Sequence, residues 1–286
     1  MITIKTLTGI SIEQIHEAFS KAFADYVEPI DLSAEQLQHG IERRGYNPNL
    51  SFGAFNGDEL IGFTLNGIGK WNGELTVYDA GTGIIKEFRK QGIATKIFNE
   101  SLPVLRENKI TQYLLEVIKT NTGAYDLYKK AGFSVTREFD YFISKKDKIN
   151  IEPNKLNKDF QIKEIEDPDW DEFKTFWEFE PSWQNSIDSV NRKIDYFVIL
   201  GIYNKDNLSG YGIIEKHTGD IPQFAISKGY RRKGCATTLF KHLLEYDEAE
   251  TFKFVNTDAA HQSYKKFAAI INLPAGLGQY EMIMKI

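Results

Sequence analysis

Two seven-residue stretches carry the side chains and the bare backbone needed to hold an anion. Arg89-Lys90-Gln91-Gly92-Ile93-Ala94-Thr95 and Arg231-Arg232-Lys233-Gly234-Cys235-Ala236-Thr237 share Arg, Gly, Ala and Thr at matching places. Each follows an apolar run and opens a segment with helical spacing. Unpaired N–H groups at a helix start, aligned with the positive end of its dipole, attract phosphates, and small residues let a pyrophosphate come close. Neither stretch is a Walker loop, since no Gly-Lys-Ser/Thr follows, and neither has the Gly-x-Gly-x-x-Gly dinucleotide fingerprint. A second kind of chemistry is offered by Glu116, alone in the apolar run Tyr-Leu-Leu-Glu-Val-Ile (113–118). Partial desolvation raises such a carboxylate toward the range of a general base, while a structural ion pair is the other reading. Asp79 and Tyr78, on the strand before the first basic turn, are further options. Cys235 takes the place of Ile93 in the second stretch and reads as a small packing residue rather than a nucleophile.

These groups need a framework, and the sequence supplies it twice. Gly53-Ala-Phe-Asn-Gly-Asp-Glu-Leu-Ile-Gly-Phe63 aligns with Gly201-Ile-Tyr-Asn-Lys-Asp-Asn-Leu-Ser-Gly-Tyr211, keeping Gly, Asn, Asp, Leu and Gly and exchanging Phe for Tyr at two places. The Asn/Asp centre between apolar runs reads as a hairpin. Two matches in the same order at nearly equal offsets indicate a tandem duplication. The expected organisation is a domain at 1–146, a Lys/Asn-rich linker at 147–158 and a second domain at 159–286. In the first copy, residues 2–7 alternate as a strand. Capping boxes Ser11/Gln14 and Ser33/Gln36 open two helices. The hairpin, a strand at 75–85, a helix from about Gln91, a strand at 113–118, a short helix at 124–131 and a strand at 139–143 follow. The second copy repeats this plan, with an aromatic-rich helical region at 169–192 whose Trp170, Trp177 and Trp183 serve core packing or a ligand pocket.

The whole chain has 286 residues, 42% hydrophobic, with 35 basic and 40 acidic residues for a net charge of −5. That composition is globular, and the charge argues against a dedicated nucleic-acid binder. The longest apolar run, 196–203, is too short to span a membrane, and the start of the chain lacks the pattern of a secretory signal. A single cysteine excludes an internal disulfide and fits a reducing cytosol, and no Cys/His cluster suits a metal. The expectation is a cytoplasmic protein with no metal, no membrane and no nucleic-acid partner.

Downstream of the apolar strand comes Asn121-Thr-Gly-Ala-Tyr-Asp-Leu-Tyr128-Lys-Lys-Ala-Gly132-Phe133. A strand, an Arg-x-x-Gly-x-Ala turn, a helix, an apolar strand, then Asn-x-x-Ala-x-x-x-Tyr and Gly-Phe resembles the acetyl-CoA-binding core of the GCN5-related N-acetyltransferase (GNAT) superfamily. The resemblance covers about residues 2–143 and, more loosely, the second copy. It implies an α/β (α+β) fold of two tandem GNAT-like domains, each a mixed, mostly antiparallel sheet flanked by helices. It implies that Ile84 and Ile85 offer backbone groups to the pantetheine arm, that Arg89, Lys90, Gln91, Gly92, Ile93, Ala94 and Thr95 cradle the pyrophosphate, and that Asn121 holds the pantetheine. Tyr128 would protonate the departing thiolate, a role its ordinary pKa near that of a thiol allows. Acetyl-CoA is then the cosubstrate, and a primary amine of a small molecule or peptide attacks it directly, with Glu116 as the candidate base. The acceptor pocket would draw on residues 24–45, 67–74 and 177–191. Arg231, Gly234 and Ala236 keep the cradle in the second copy. There, either Asn256 and Tyr264 stand for Asn121 and Tyr128, or His261 and Ala268 do, and in the second register the proton donor is lost. The competing function is a non-catalytic, CoA-responsive binding or regulatory protein. A monomer whose two domains form an internal pair is the expected assembly.

Overall fold

The computed structural model describes residues 1–25, 31–149 and 160–286. Residues 150–158 of the expected linker lie outside the described residues. The first repeat runs β1 (Ile2–Thr6), α1 (Ile12–Phe23), α2 (Ala34–Arg43), β2 (Phe52–Asn56), β3 (Glu59–Trp71), β4 (Glu74–Ile84), α3 (Ile93–Glu107), β5 (Gln112–Ile118), α4 (Thr122–Ala131) and β6 (Ser134–Lys145). The second runs β7 (Phe160–Glu164), α5 (Trp170–Lys174), α6 (Ile187–Asn191), β8 (Phe197–Asn204), β9 (Asn207–Glu215), β10 (Gln223–Ile226), α7 (Cys235–Glu245), β11 (Thr251–Asp258), α8 (Gln262–Ile270) and β12 (Gln279–Lys285). Among the described residues, no helix is long and apolar enough to cross a membrane.

Local chemistry sets these elements. Ser11 and Ser33 cap α1 and α2, and Gln14 and Gln36 return the bond to the cap backbone, so both capping boxes form. The two hairpins are copies down to their irregularity. The register slips by one residue opposite Ala54 and Phe55, where Ile61 of β3 is the extra residue, and opposite Ile202 and Tyr203, where Ser209 of β9 is, and Gly57 (φ 64°) corresponds to Lys205 (φ 55°) in the turn. Gly53 and Gly201 are small for the same reason: a Cβ would come within 2.6 Å of Leu60 and 2.8 Å of Leu208 respectively. The region 169–192 departs from a single helix. It breaks into the five-residue α5, a 3-10 turn at Trp183–Asn185 and the five-residue α6, with Pro181, which has no N–H to give, between them. Trp170 packs edge-on against Phe173 and Trp183 is buried, whereas the Trp177 indole donates to the Tyr211 hydroxyl at 2.6 Å.

The chain forms two compact units: Met1–Glu116 with Gly123–Thr136 and Glu281–Ile286, and Val117–Thr122 with Arg137–Tyr280. Strands β6 and β12 are thus each divided between units, a feature that no local sequence signal announces. In the first unit, β1 to β4 are antiparallel and β4 to β5 is parallel. Phe63 and Leu65 pack with Ile15 and Phe19 of α1 and Leu37 and Ile41 of α2, while Ile61, Ile85, Ile93 and Ile97 form a separate cluster with α3. In the second unit, β10-β9-β8-β7 form an antiparallel sheet, and β11 pairs antiparallel with β6. Val198, Leu200 and Ile202 pack with Leu239, Phe240 and Leu243 of α7, whereas Phe197 and Ile199 pack with Phe173, Phe176 and Val190. Alternation along β8 therefore puts α7 and the α5–α6 region on opposite faces of that sheet.

Candidate active site

In the first unit β4 and β5 pair only from Thr76 to Tyr78 with Gln112 to Leu114, and beyond that point the strands part. Asp79 is the first residue past the last pair. Its carboxylate accepts from the Thr82 hydroxyl at 2.7 Å and the Gly81 N–H at 2.9 Å, yet burial outweighs those bonds and lifts its pKa to about 6. The Tyr128 hydroxyl, from α4, donates to Asp79 Oδ2 at 3.4 Å. Tyr128 is held edge-on to Phe133, whose ring meets Tyr113, and Tyr113 donates to Asn66 Oδ1 at 2.8 Å. One proton acceptor and one proton donor thus face each other where the sheet opens. Glu116 is half-buried and accepts the Tyr78 hydroxyl at 2.9 Å; burial first, then the charge of Glu116, push that hydroxyl well above its ordinary range.

The basic turn beside this opening is built alike in both units. Arg89 Nε donates to the Ile84 carbonyl at 3.0 Å, and Arg231 Nε donates to the Ile226 carbonyl at 2.9 Å. The rest of each guanidinium is held by an acid, Asp25 for Arg89 and Glu178 for Arg231, and Arg89 also reaches the Ala22 carbonyl at 2.7 Å. The guanidinium of Arg89 therefore fixes the turn, and what faces outward is backbone. Lys90 and Gly92 (φ 61° and 74°), like Arg232 and Gly234 (φ 59° and 85°), take the left-handed conformation that aims the following amides. A Cβ on Gly92 would meet nothing within 4 Å, so space in front of the turn is open. Helix α3 has no side-chain cap and no acid in its first turn, so nothing competes with an anion there.

The remaining expected residues distribute as follows. Ile93 is buried in the α3 cluster, Ala94 is half-buried, and Gln91 and Thr95 are exposed. The Ile84 carbonyl is taken by Arg89, the Ile85 N–H by the Ile61 carbonyl and the Ile85 carbonyl by the Phe88 N–H, so these three groups already have partners. Asn121, half-buried, donates its N–H to the Ile118 carbonyl and belongs to the second unit. Sequence reasoning missed the two clamping acids, although each is followed by an aromatic residue and, shortly after, by Glu-Pro, in Asp25-Tyr-Val-Glu-Pro and Glu178-Phe-Glu-Pro.

In the second unit the equivalent opening is a cavity of about 590 Å³, lined among others by Trp177, Asn185, Arg231, Gly234, Ala236, Asn256 and Tyr264. The chain bonds fix its register. The Phe133 N–H bonds the Tyr128 carbonyl, and the Leu273 N–H bonds the Ala268 carbonyl, so Ala268 stands where Tyr128 does. Counting back five residues from each arginine-clamped isoleucine carbonyl places Ile221 where Asp79 does. Tyr264 is spent on the Phe224 carbonyl at 2.5 Å, and burial pushes its hydroxyl far above the ordinary range. The acid–base pair of the first unit has no counterpart here.

Both repeats resemble known proteins. The family model "Acetyltransferase (GNAT) family" matches residues 12–133 and again 161–268. N-alpha-acetyltransferase 30 of Schizosaccharomyces pombe is 33% identical over 99 residues, 34% of this chain and 66% of that protein. N-alpha-acetyltransferase MAK3 of Arabidopsis thaliana is 27% identical over 105 residues, 36% of this chain and 55% of that protein. The chain thus spans between half and two thirds of these relatives' length. Among solved structures, a tandem GNAT protein from the clavulanic acid biosynthesis pathway superposes with a TM-score of 0.76 at 11% identity, covering 100% of this chain and 98% of that one. A GCN5-related N-acetyltransferase from Sphaerobacter thermophilus gives 0.73 at 13% identity, covering 99% and 95%. These two likenesses concern the fold. With both repeats matched over most of their length, the chain belongs to the GNAT acetyltransferase family, as a tandem member.

Proposed function

We propose that the first repeat (1–146) transfers an acetyl group from acetyl-CoA to a primary amine, and that the observation carrying this is the Tyr128–Asp79 pair at the parting of β4 and β5. Acetyl-CoA supplies an activated thioester; the bare start of α3 and the open space before Gly92 suit its pyrophosphate. Asp79, with a pKa of about 6, is ionised at neutral pH and takes the proton from the incoming ammonium. The neutral amine attacks the thioester carbonyl directly, the C–S bond breaks as the Tyr128 hydroxyl gives its proton to the leaving sulfur, and the proton lost by the newly acylated nitrogen restores the Tyr128 hydroxyl. Asp79 thereby takes precedence over Glu116 as the base, because Asp79 touches Tyr128 whereas Glu116 accepts from Tyr78. The acceptor is a peptide or small-molecule amine; the names of the two sequence relatives favour a peptide α-amine. The test is release of CoA thiol with a panel of peptides and small amines. Turnover that falls by about 100-fold in Asp79→Asn and stays high in Glu116→Gln supports the assignment. Equal turnover in Asp79→Asn and the unaltered protein would overturn it.

A further inference from the structure

One buried tyrosine beside the Tyr128–Asp79 pair makes a hydrogen bond whose direction is forced. Tyr113 of β5 is 2% exposed and Asn66 of β3 is 0% exposed, and the two side chains meet across β4, the strand that separates theirs in the sheet. Asn66 Nδ2 donates to the Leu50 carbonyl at 2.6 Å. A carbonyl can only accept, so the amide nitrogen belongs on that side and Oδ1 on the side of Tyr113. Oδ1 in turn can only accept, so the Tyr113 hydroxyl spends its single proton on Asn66, at 2.8 Å. The Asn66 backbone is held as well. Its N–H donates to the Ser51 hydroxyl at 2.8 Å, its carbonyl accepts the Asn47 N–H at 2.8 Å, and Ser51 donates to the Asn47 carbonyl at 2.7 Å. The connection between α2 and β2 thus fixes Asn66 in position and orientation.

Asn66 also stands directly opposite Asp79. The β3–β4 register pairs Leu65 with Gly81 and Asn66 with Asp79, so Ala80 is the extra residue and the ladder slips at Asn66. Paired residues share a face of the sheet, with Cβ atoms about 5 Å apart. From the other side, the Tyr113 ring meets Phe133 at 5.6 Å, and Phe133 meets Tyr128 at 5.6 Å. Burial first, then interaction with the charge of Asp79 and of Tyr128, push the Tyr113 hydroxyl well above its ordinary range, and the bond to Asn66 pulls the other way. Asn66, Asp79, Tyr113 and Tyr128 therefore form one buried group. The further titratable side chain acting on it is Tyr78 of β4, whose proton goes to Glu116 of β5 and which also feels the charge of Arg44, next after α2. An O–H aimed at a carboxylate favours its charged form and lowers its pKa. A second phenol donating to Asp79 would weaken it as a base and crowd the place that an incoming ammonium must take. The Asn66 oxygen takes that proton instead.

We propose that Asn66 is a positioning residue of the first repeat: its side-chain oxygen holds the Tyr113 hydroxyl proton and so keeps it from Asp79 and Tyr128. The proposal rests on the reading of Asp79 as the base only for its effect on turnover. The experiment is an NMR titration of the full chain, isotopically labelled at its aspartate carboxyl carbons, with the Asp79 resonance assigned by its loss in Asp79→Asn. Asn66→Leu removes the acceptor and frees Tyr113 to turn. It is expected to lower the Asp79 pKa from about 6 by about one pH unit, and the midpoint of the kcat/KM profile falls with it. Adding Tyr113→Phe to Asn66→Leu is expected to restore the Asp79 pKa, a rescue that a merely structural role for Asn66 would not give. Tyr113→Phe alone keeps the ring and is expected to leave that pKa within about 0.3 pH units. Thermal unfolding checks that each variant is folded; if Asn66→Leu is not, Asn66→Ser, too short to reach Tyr113, takes its place. An Asp79 pKa that loss of the Asn66 amide does not move, or that the double variant does not restore, overturns the proposal. So does a rise in Tyr113→Phe alone, because the hydroxyl would then already be donating to Asp79. Thiol release measured in parallel separates the two readings: a resonance that shifts as expected, with a kcat/KM profile that does not follow it, supports the hold of Asn66 on Tyr113 and overturns Asp79 as the base.

Discussion

The two openings share a frame and differ in what stands at the centre. Both have an arginine whose Nε holds the carbonyl five residues earlier, an acid that holds the arginine, and a glycine with positive φ at the helix start. At the parting of the strands, however, the first unit has Asp79 and Tyr128 at 3.4 Å, while the second has Ile221, Ala268 and a cavity of about 590 Å³. The frame is held by contacts within the protein, so it survives without the acid–base pair. Building the turn and performing chemistry beside it are separable tasks, carried by different residues.

Four changes probe that separation, taken from the largest expected effect down. Tyr128→Phe removes the donor and is expected to lower kcat by about 10²–10³ with little change in KM for acetyl-CoA, whereas Tyr264→Phe leaves kcat within about twofold; steady-state thiol release reads both. A comparable loss in the two variants would erase the asymmetry. Gly92→Glu sets a carboxylate before the α3 amides and should weaken acetyl-CoA binding about 100-fold by titration. Gly92→Ala separates the backbone strain, about 1–2 kcal/mol, from the charge. The same charge at Gly234 leaves first-unit turnover unchanged.

The third change concerns pH. Because burial raises the Asp79 pKa to about 6, above its unfolded value, the folded unit prefers the protonated acid. The group's contribution is most favourable below the unfolded pKa of about 4 and is lost as pH rises through 6. Asp79→Asn should therefore raise unfolding stability by about 1–3 kcal/mol near pH 7.5 and leave it unchanged near pH 4, as denaturant titration would show, while abolishing the rise of kcat/KM with pH centred near 6. A variant less stable than the parent at both pH values would mean the carboxylate is a structural ion. Last and smallest, Asp25→Asn and Glu178→Gln loosen the clamps. The acid facing Arg89 is 37% exposed and that facing Arg231 is 22% exposed, so thermal unfolding should show the larger loss for Glu178→Gln.

What could be read from the chain follows the range of the interaction. The capping boxes, the duplicated hairpins and the two basic turns are encoded within a dozen residues each, and the structure contains all of them. Residues 169–192 read as helical because apolar spacing persists, but Pro181 cuts them into short turns. The standing of Asp79 was harder to see, since it depends on a strand that diverges after Tyr78 and on a tyrosine 49 residues away. Glu116 stood out in its apolar run, whereas Asp79, followed by Ala80, Gly81 and Thr82, carried no local sign of desolvation. The second cavity was invisible for the same reason: its lining joins Asn185 to the carbonyl of Val255, 70 residues away.

The lone thiol has a use that follows from its place. Cys235 is 1% exposed within the α7 core of the second unit, and burial pushes its pKa up. A thiolate reagent can reach it only through transient opening of that core, so in the closed state it is silent. With no other cysteine in the 286 residues, the rate of labelling is a clock for the second unit alone. Ligands that occupy that unit should slow the clock, and ligands confined to the first should leave it running at its own pace.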